Sequence, residues 1–593
     1  DPPGSQWDAP LQGEPYPAPP PPGPEVLDLR KDTSRQAAPG RTVPSRVEPR
    51  PALGSNNWAV AGWRTRHGRA VLANDMHLRL SVPNTWYRAV LCLRPRAPAG
   101  EGFVAGVTLP GAPVVVAGSN GRVAWGFTNS YGDWSDLVVV EPLAGDPARY
   151  QAPGGPKPFL KTREKLQVRG GTTETLELTS TIWGPVVGRD ARGRPLAARW
   201  IAHEPEAVNL GLLDLETVSC VEEALSVANR TGIPPQNFVC VDGGGHIGWT
   251  ISGRIPRRRG FDGRRPISWA DGRRGWDGWL TPEEYPRIVD PPSGLIWTAN
   301  ARVVDGEALD TVGDGGYWLG ARAKQIRDDL LALEKPAEPD MLTVQLDDRA
   351  LFLERWRRLV LDLLTPARIE ARAERAAFRR LVETTWTGRA SVDSAGYYLV
   401  REFRMALFRK VYGWLTALCR KTDPDFDFEE LHQWEDPLWQ LATERPRHLL
   451  DPALRSWEDA LLGAVDDTVR KLTADGSKLE DCRWGRRNTA HIRHPLSGAI
   501  PLAGRWLDMP ADELDGDGHM PRVQGPAFGA SERIVVSPGR ESDGYFHMPG
   551  GQSGHPLSPY FQAGHEDWTQ GRPSPFLPGP VRWRLRLSPG GGV

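Results

Sequence analysis

The chain has 593 residues, 39% hydrophobic and 25% charged, enough for a sizeable core beneath a polar surface. Lys+Arg 73 against Asp+Glu 74 leaves a formal net charge of -1, which removes any global electrostatic case for nucleic acid. Five scattered cysteines (Cys92, Cys220, Cys240, Cys419, Cys482) without CxxC spacing argue against a disulfide framework and a structural zinc site. No apolar run reaches the roughly 18 residues that predict a transmembrane helix.

Residues 1–54 include Pro17-Ala18-Pro19-Pro20-Pro21-Pro22-Gly23-Pro24, a composition that predicts a linker or spacer with little core of its own. From Trp58 the pattern changes. Trp58–Trp63, a charged turn over Arg64–Arg69 and Ala70–Ala73 predict a hairpin. Further strands are predicted at Trp86–Leu93, Gly102–Thr108, Val114–Ala117, Val123–Thr128 and Leu137–Glu141, then through Glu164–Ile201. A helix over Val221–Asn229 precedes strands Asn237–Asp242 and His246–Ser252. Arg257-Arg258-Arg259 reads as a solvated loop, because no stacking platform accompanies it.

From about residue 320 the period lengthens. Phe352, Trp356, Leu359 and Leu363 share one helical face, as do Val400, Phe403, Leu407 and Val411. After residue 484 loops and short strands return. The expected class is α+β: residues 55–593 as one body, with a mainly helical insertion over about 320–480.

The junction Leu53-Gly54-Ser55-Asn56-Asn57-Trp58 joins these regimes. A serine opening a folded segment after glycine is well placed to become a chain terminus. Cleavage between Gly54 and Ser55 would give one residue both a hydroxyl nucleophile and an α-amine. That amine has a pKa of about 7.7–8.0 and can serve as its base. Taken alone, Gly-Ser-Asn reads as a turn before a strand, and only the downstream segments favour the nucleophile. No GxSxG elbow competes, since His555 follows Ser553-Gly554, and neither HExxH nor a Walker loop occurs. His491 and His494 read as part of a loop or strand ahead of Pro495, not as metal ligands.

Further segments follow in a fixed order. They are Leu72-Ala73-Asn74-Asp75-Met76-His77-Leu78, Val123-Ala124-Trp125-Gly126-Phe127-Thr128-Asn129, and Gly132-Asp133-Trp134-Ser135-Asp136-Leu137. Next come Pro235-Gln236-Asn237-Phe238-Val239, Gly245-His246-Ile247-Gly248-Trp249, Thr298-Ala299-Asn300 and Met548-Pro549-Gly550-Gly551-Gln552-Ser553-Gly554. In this order, over about residues 55–585, the chain resembles the penicillin acylase family, which includes cephalosporin and acyl-homoserine-lactone acylases.

The resemblance implies an N-terminal-nucleophile hydrolase, an αββα sandwich made by autocatalytic cleavage of a zymogen. It places the cleavage at Gly54-Ser55 and makes Ser55 the nucleophile. His77 would orient the nucleophile and its amine, the Asn129 backbone N–H and the Asn300 side chain would hold the oxyanion, and Arg322 would stand nearby. Leu78 beside His77 suggests an apolar acyl slot. Asp133, Asp136 and the Ser135 carbonyl match part of a structural Ca²⁺ site, with Asp310 or Asp314 as the third acidic ligand; hard oxygens suit that ion. No organic cofactor is implied.

The expected reaction is hydrolysis of a linear amide in a small N-acyl compound, such as a β-lactam antibiotic or an acyl-homoserine lactone. No nucleic-acid or membrane partner is expected, and the setting would be periplasmic or secreted, although no signal peptide opens this chain. The alternative is an unprocessed, non-catalytic relative acting as a binding module. Ser119 and Ala301 depart from common family residues. The stretch before Gly54 is short and Pro-rich for the family's α segment, which implies a separate α segment or subunit.

Overall fold

Period-two alternation organises the central strands of the computed structural model, which describes residues 7–31, 54–93, 102–423, 426, 432–500 and 502–586. β1 (Gly54–Val60) and β2 (Val71–Arg79) form an antiparallel hairpin in which Trp58 faces Ala73 and Asn56 faces Asp75. Trp58, Val60, Val71 and Ala73 share a core with Ala323, Ile326, Leu330 and Met341, which lie on α2 (Ala321–Ala332) and α3 (Glu338–Gln345). Ala59, Leu72 and Met76 point the other way, toward Val239, Val241, Ile247 and Trp249 of a second sheet.

The first sheet runs β17 (Leu295–Thr298), β1, β2, β18 (Phe528–Val536), β19 (Tyr545–His547). The second runs β16 (Arg287–Val289), β13 (Ile247–Ser252), β12 (Gln236–Asp242), β6 (Val123–Asn129), β5 (Ala117–Ser119), β4 (Gly102–Thr108), β3 (Tyr87–Leu93). On its outer face Phe238 and Cys240 pack on Val221, Ala224 and Leu225 of α1 (Val221–Arg230). The layers are therefore helix, sheet, sheet, helix, the α+β sandwich expected from the sequence.

Polar side chains stitch the two sheets together beside β1. Asn74 donates to the carbonyls of Asn56 (2.8 Å) and Phe127 (3.0 Å), bridging β1 and β6. A relay runs from Trp249 Nε1 to Asn237 Oδ1, from Asn237 Nδ2 to Thr128 Oγ1, and on to Thr298 Oγ1. Buried amides and hydroxyls kept satisfied in this way fix the sheets' relative position.

A third sheet, β8 (Leu160–Leu166), β9 (Glu174–Thr181), β10 (Gly184–Arg189), β11 (Pro195–Trp200), β7 (Ser135–Val139), projects beside the sandwich, with a ribbon of β14 (Pro256–Arg259) and β15 (Gly275–Trp279). The helices α4 (Glu354–Leu363), α5 (Ala373–Thr384), α6 (Ala395–Leu415) and α7 (Trp457–Leu472) have their own core, including Trp356, Phe403, Leu407, Val411 and Leu461. Ser394 caps α6 by accepting the Tyr397 N–H at 3.1 Å.

Residues 7–31 have little core of their own but dock on the body: Trp7, Ala9 and Leu29 are buried, and Trp7 meets Phe352 edge-on with centroids 5.2 Å apart. Asp8 pairs with Arg302 at 2.6 Å, and the Ala9 carbonyl accepts the Trp297 indole N–H. Proline cannot build a ladder, yet an extended arm can lie along a groove and anchor by isolated side chains. The remainder of the predicted spacer, 32–53, lies outside the described residues. One expectation needs correction, in the C-terminal part, where β18 is a nine-residue strand beside β2 rather than a short one. Its buried Ser531, Glu532 and Arg533 interrupt the apolar alternation that would have marked it.

Candidate active site

Alternation along β1 sends the side chains of neighbouring residues to opposite faces. Ser55 points with Ala59 toward the second sheet; Asn56 points with Trp58 toward the helices. At the end of β6 the Asn129 backbone N–H donates to Ser55 Oγ at 3.2 Å, and Asn300 Nδ2 lies 3.4 Å from the same oxygen. Asn300 Nδ2 also donates to the Asn129 carbonyl at 2.9 Å, and Asn300 Oδ1 accepts the Ser55 backbone N–H at 2.7 Å. Asn300 is fully buried just beyond β17 with φ 68°, a left-handed conformation that asparagine tolerates better than most residues.

On the helix side, Arg322 projects from the first turn of α2. Its Nη1 donates to the Ser55 carbonyl (2.9 Å) and Asn56 Oδ1 (2.7 Å), and its Nη2 to Asn300 Oδ1 (2.8 Å). Burial lowers this guanidinium to about 10, so it stays charged at neutral pH. A Cβ on Gly54 would lie 3.2 Å from Asn300 Oδ1 and 3.4 Å from both Arg322 Nη2 and His77 Nδ1. Gly54 thus sits in a ring of three polar groups that leaves little room for a side chain.

His77 is buried, and its Nε2 lies 2.6 Å from Asp75 Oδ2. Desolvation drives the imidazole pKa down, opposed by Asp75 and reinforced by Arg322 and Arg533. A neutral ring beside a carboxylate must carry its proton on Nε2, which leaves Nδ1 as an acceptor facing Gly54. Asn56 Nδ2 donates to Asp75 Oδ2 at 3.2 Å and to the Pro521 carbonyl at 3.0 Å. Beneath them Glu532 accepts the Met76 N–H at 2.9 Å, and burial pushes its carboxyl well above the usual range.

Ser55, Gly54, His77, Asn129, Asn300 and Arg322 therefore converge on one point. Leu78 lies outside this hydrogen-bonded group, half-buried against the core between the sheets. Asp75 and Asn56 were missed in the sequence, although strand parity places Asp75 on the face of His77 and the hairpin register places Asn56 opposite Asp75. His491 stands apart, its backbone N–H bonded to Pro526 O, and His494 Nδ1 accepts the Leu496 N–H.

The proposed calcium ligands are differently engaged. Asp133 and Asp136 bracket the Arg258 guanidinium, at 3.0 Å and 2.9 Å, and Trp276 Nε1 donates to Asp136 Oδ2 at 2.6 Å. Ser135 pairs with Trp200 in the β7–β11 ladder. Asp310 turns to Arg264 at 3.5 Å, and Asp314 accepts backbone N–H groups of Gly316 and Tyr317. Among the described residues no group of three or more His, Cys, Asp or Glu is arranged to hold a metal ion. The donor set does not fit Ca²⁺, because its inward oxygens are committed to a guanidinium and an indole. Arg258 is accordingly no solvated loop residue; its side chain is only 9% exposed.

Comparison with known proteins agrees with this architecture. The family model described as penicillin amidase matches residues 10–580. The acyl-homoserine lactone acylase QuiP of Pseudomonas aeruginosa is 28% identical over 582 residues, covering 88% of this chain and 67% of that protein. The penicillin acylase 2 proenzyme of a Pseudomonas species is 28% identical over 545 residues, with the same coverage, so the chain spans about two thirds of these relatives' length. The thermostable penicillin G acylase of Alcaligenes faecalis shares the fold with a TM-score of 0.63 at 18% identity, covering 90% of this chain and 100% of that one. With the family model matched over nearly its whole length, the chain belongs to the penicillin amidase family.

Proposed function

We propose that this protein cleaves itself between Gly54 and Ser55 and then hydrolyses the linear amide of a small N-acyl compound through an acyl-enzyme on Ser55. One observation carries the reading: the Asn129 N–H and the Asn300 amide converge on the Ser55 hydroxyl, while Asn300, Arg322 and His77 encircle Gly54. A relative named as a proenzyme supports processing.

In the first reaction Ser55 Oγ attacks the Gly54 carbonyl, the peptide nitrogen leaves as an amine, and water hydrolyses the resulting ester. Departure of Gly54 frees the Ser55 α-amine where Asn300 Oδ1 already accepts its N–H and where His77 Nδ1 faces the vacated position. This amine then serves as the base. Ser55 Oγ adds to the substrate carbonyl, the proton passes through the amine to the leaving nitrogen, and water releases the acid. The donors now on Ser55 Oγ would hold the oxyanion of each tetrahedral intermediate. Arg322, bonded to the Ser55 carbonyl and to Asn300, fixes both in place.

The substrates named by the relatives, penicillins and acyl-homoserine lactones, are the first to try. The proposed setting is periplasmic or secreted, a reading supported by the family resemblance alone. Turnover of a panel of N-acyl amides by the parent and by Ser55→Ala tests the reading. Hydrolysis by the parent alone is expected, and equal turnover by the variant would overturn it.

A further inference from the structure

Asn129 is followed by a loop, Ser130–Trp134, that leads into β7. Its position therefore bears on the oxyanion donor. Asp133 and Asp136 stand at the end of this loop, and the group between them is the Arg258 guanidinium from β14. Arg258 Nε donates to Asp136 Oδ2 at 2.9 Å; its Nη2 donates to the Asp133 carbonyl at 3.0 Å and pairs with Asp133 Oδ2 at 3.0 Å. Trp276 on β15 adds its indole N–H to Asp136, and Arg199, opposite Asp136 in the ladder, lies over the Trp276 ring, 5.1 Å from its centroid.

Packing closes the space around Asp133. A Cβ on Gly263 would come 2.6 Å from Asp133 Oδ2, and one on Gly313 would come 2.5 Å from Asp133 Cβ. The segment beyond Asn300 also grips the loop: the Val312 carbonyl accepts the Asp133 N–H, and the Tyr131 carbonyl accepts the Gly315 N–H, both at 2.9 Å.

A calcium ion requires six to eight oxygens at about 2.3–2.6 Å. Here the two carboxylates instead meet a cation that belongs to the chain and presents a planar fork of donors. We propose that Arg258 takes the place of a divalent cation in this protein, holding the loop after Asn129 so that its fold needs no calcium. Removing Arg258 would leave two like charges, Asp136 deeply buried, without their partner. The inference is independent of the amide-hydrolase reading, because its test requires no turnover.

The parent is dialysed against a chelator, and its Tm is measured with and without millimolar calcium. Terbium is added in parallel and excited through tryptophan, since an ion at Asp136 would lie beside Trp276. The expected results are an unchanged Tm and no sensitised terbium emission from the parent. Arg258→Ala should melt at a lower temperature and gain both terbium emission and a calcium-dependent rise in Tm. If Arg258→Ala does not fold, Arg258→Lys keeps the charge without the fork and should show a smaller loss of Tm. A parent that melts higher with calcium, or that gives terbium emission abolished by Asp133→Asn, would overturn the proposal. So would an Arg258→Ala protein with parental Tm.

Discussion

Asn300 contacts Ser55 twice: its Oδ1 accepts the Ser55 backbone N–H at 2.7 Å, and its Nδ2 lies 3.4 Å from the Ser55 hydroxyl. One side-chain amide, held at φ 68°, therefore touches both the nitrogen that processing would free and the oxygen that would attack. Arg322 fixes the orientation of that amide by donating to its oxygen, which leaves the NH₂ end for Ser55 and Asn129.

Asn300→Ala removes a side-chain donor aimed at the Ser55 hydroxyl. Loss of one such donor typically costs about 10²–10³ in kcat. Stopped assays with a chromogenic N-acyl amide should show that fall with a smaller change in KM. Parental kcat would remove Asn300 from the oxyanion site.

Asp75 acts through His77. Its carboxylate, 2.6 Å from Nε2, keeps the ring in the tautomer whose Nδ1 faces Gly54. In Asp75→Asn the carboxamide no longer enforces that tautomer, and kcat should fall by about 10², a typical scale for a positioned acid–base group. The acid limb of the kcat profile should also move, because Asp75 raises the His77 pKa that burial lowers. An unchanged profile with unchanged kcat would contradict the role.

Buried neutral histidines predict acid sensitivity. Desolvation lowers His77, and it takes His547 to about 3, with Arg533 adding to that shift. In the unfolded chain both titrate near 6.5, so below that pH the unfolded state binds more protons and folding weakens. Their contribution is intact above about pH 6.5 and is lost progressively as pH falls toward the folded values. Each histidine adds at most ~1.4 kcal/mol per pH unit. Urea titrations between about pH 7 and about pH 5 should show this slope, and it should flatten in His547→Gln. A slope unchanged by that substitution would argue against it.

The N-terminal arm should matter to stability. Trp7 is buried against Phe352, and a buried Trp→Ala change costs about 3–5 kcal/mol. Trp7→Ala should lower Tm and speed proteolysis of the arm. No change in either would show that the arm is a passive passenger.

Much of the sandwich was legible because its strands are apolar runs bounded by turns, as at Gly102–Thr108 and Val123–Asn129. The site was legible only through ordered motifs, since Ser55, Asn129 and Asn300 are far apart in sequence and meet only when two sheets stack. β18 was hidden by buried Ser531, Glu532 and Arg533, whose polarity imitates a loop. The Arg258 pair was hidden for a related reason. A charged triplet reads as surface until a fold supplies two carboxylates for its middle member.

The central claim is that Ser55 becomes an N-terminus and then a nucleophile. Intact-mass analysis with N-terminal sequencing of the mature protein, run beside Ser55→Ala, tests it most directly. The account predicts a polypeptide beginning at Ser55 from the parent and an intact Gly54–Ser55 bond in the variant. An active parent whose Gly54–Ser55 bond remains intact would contradict it.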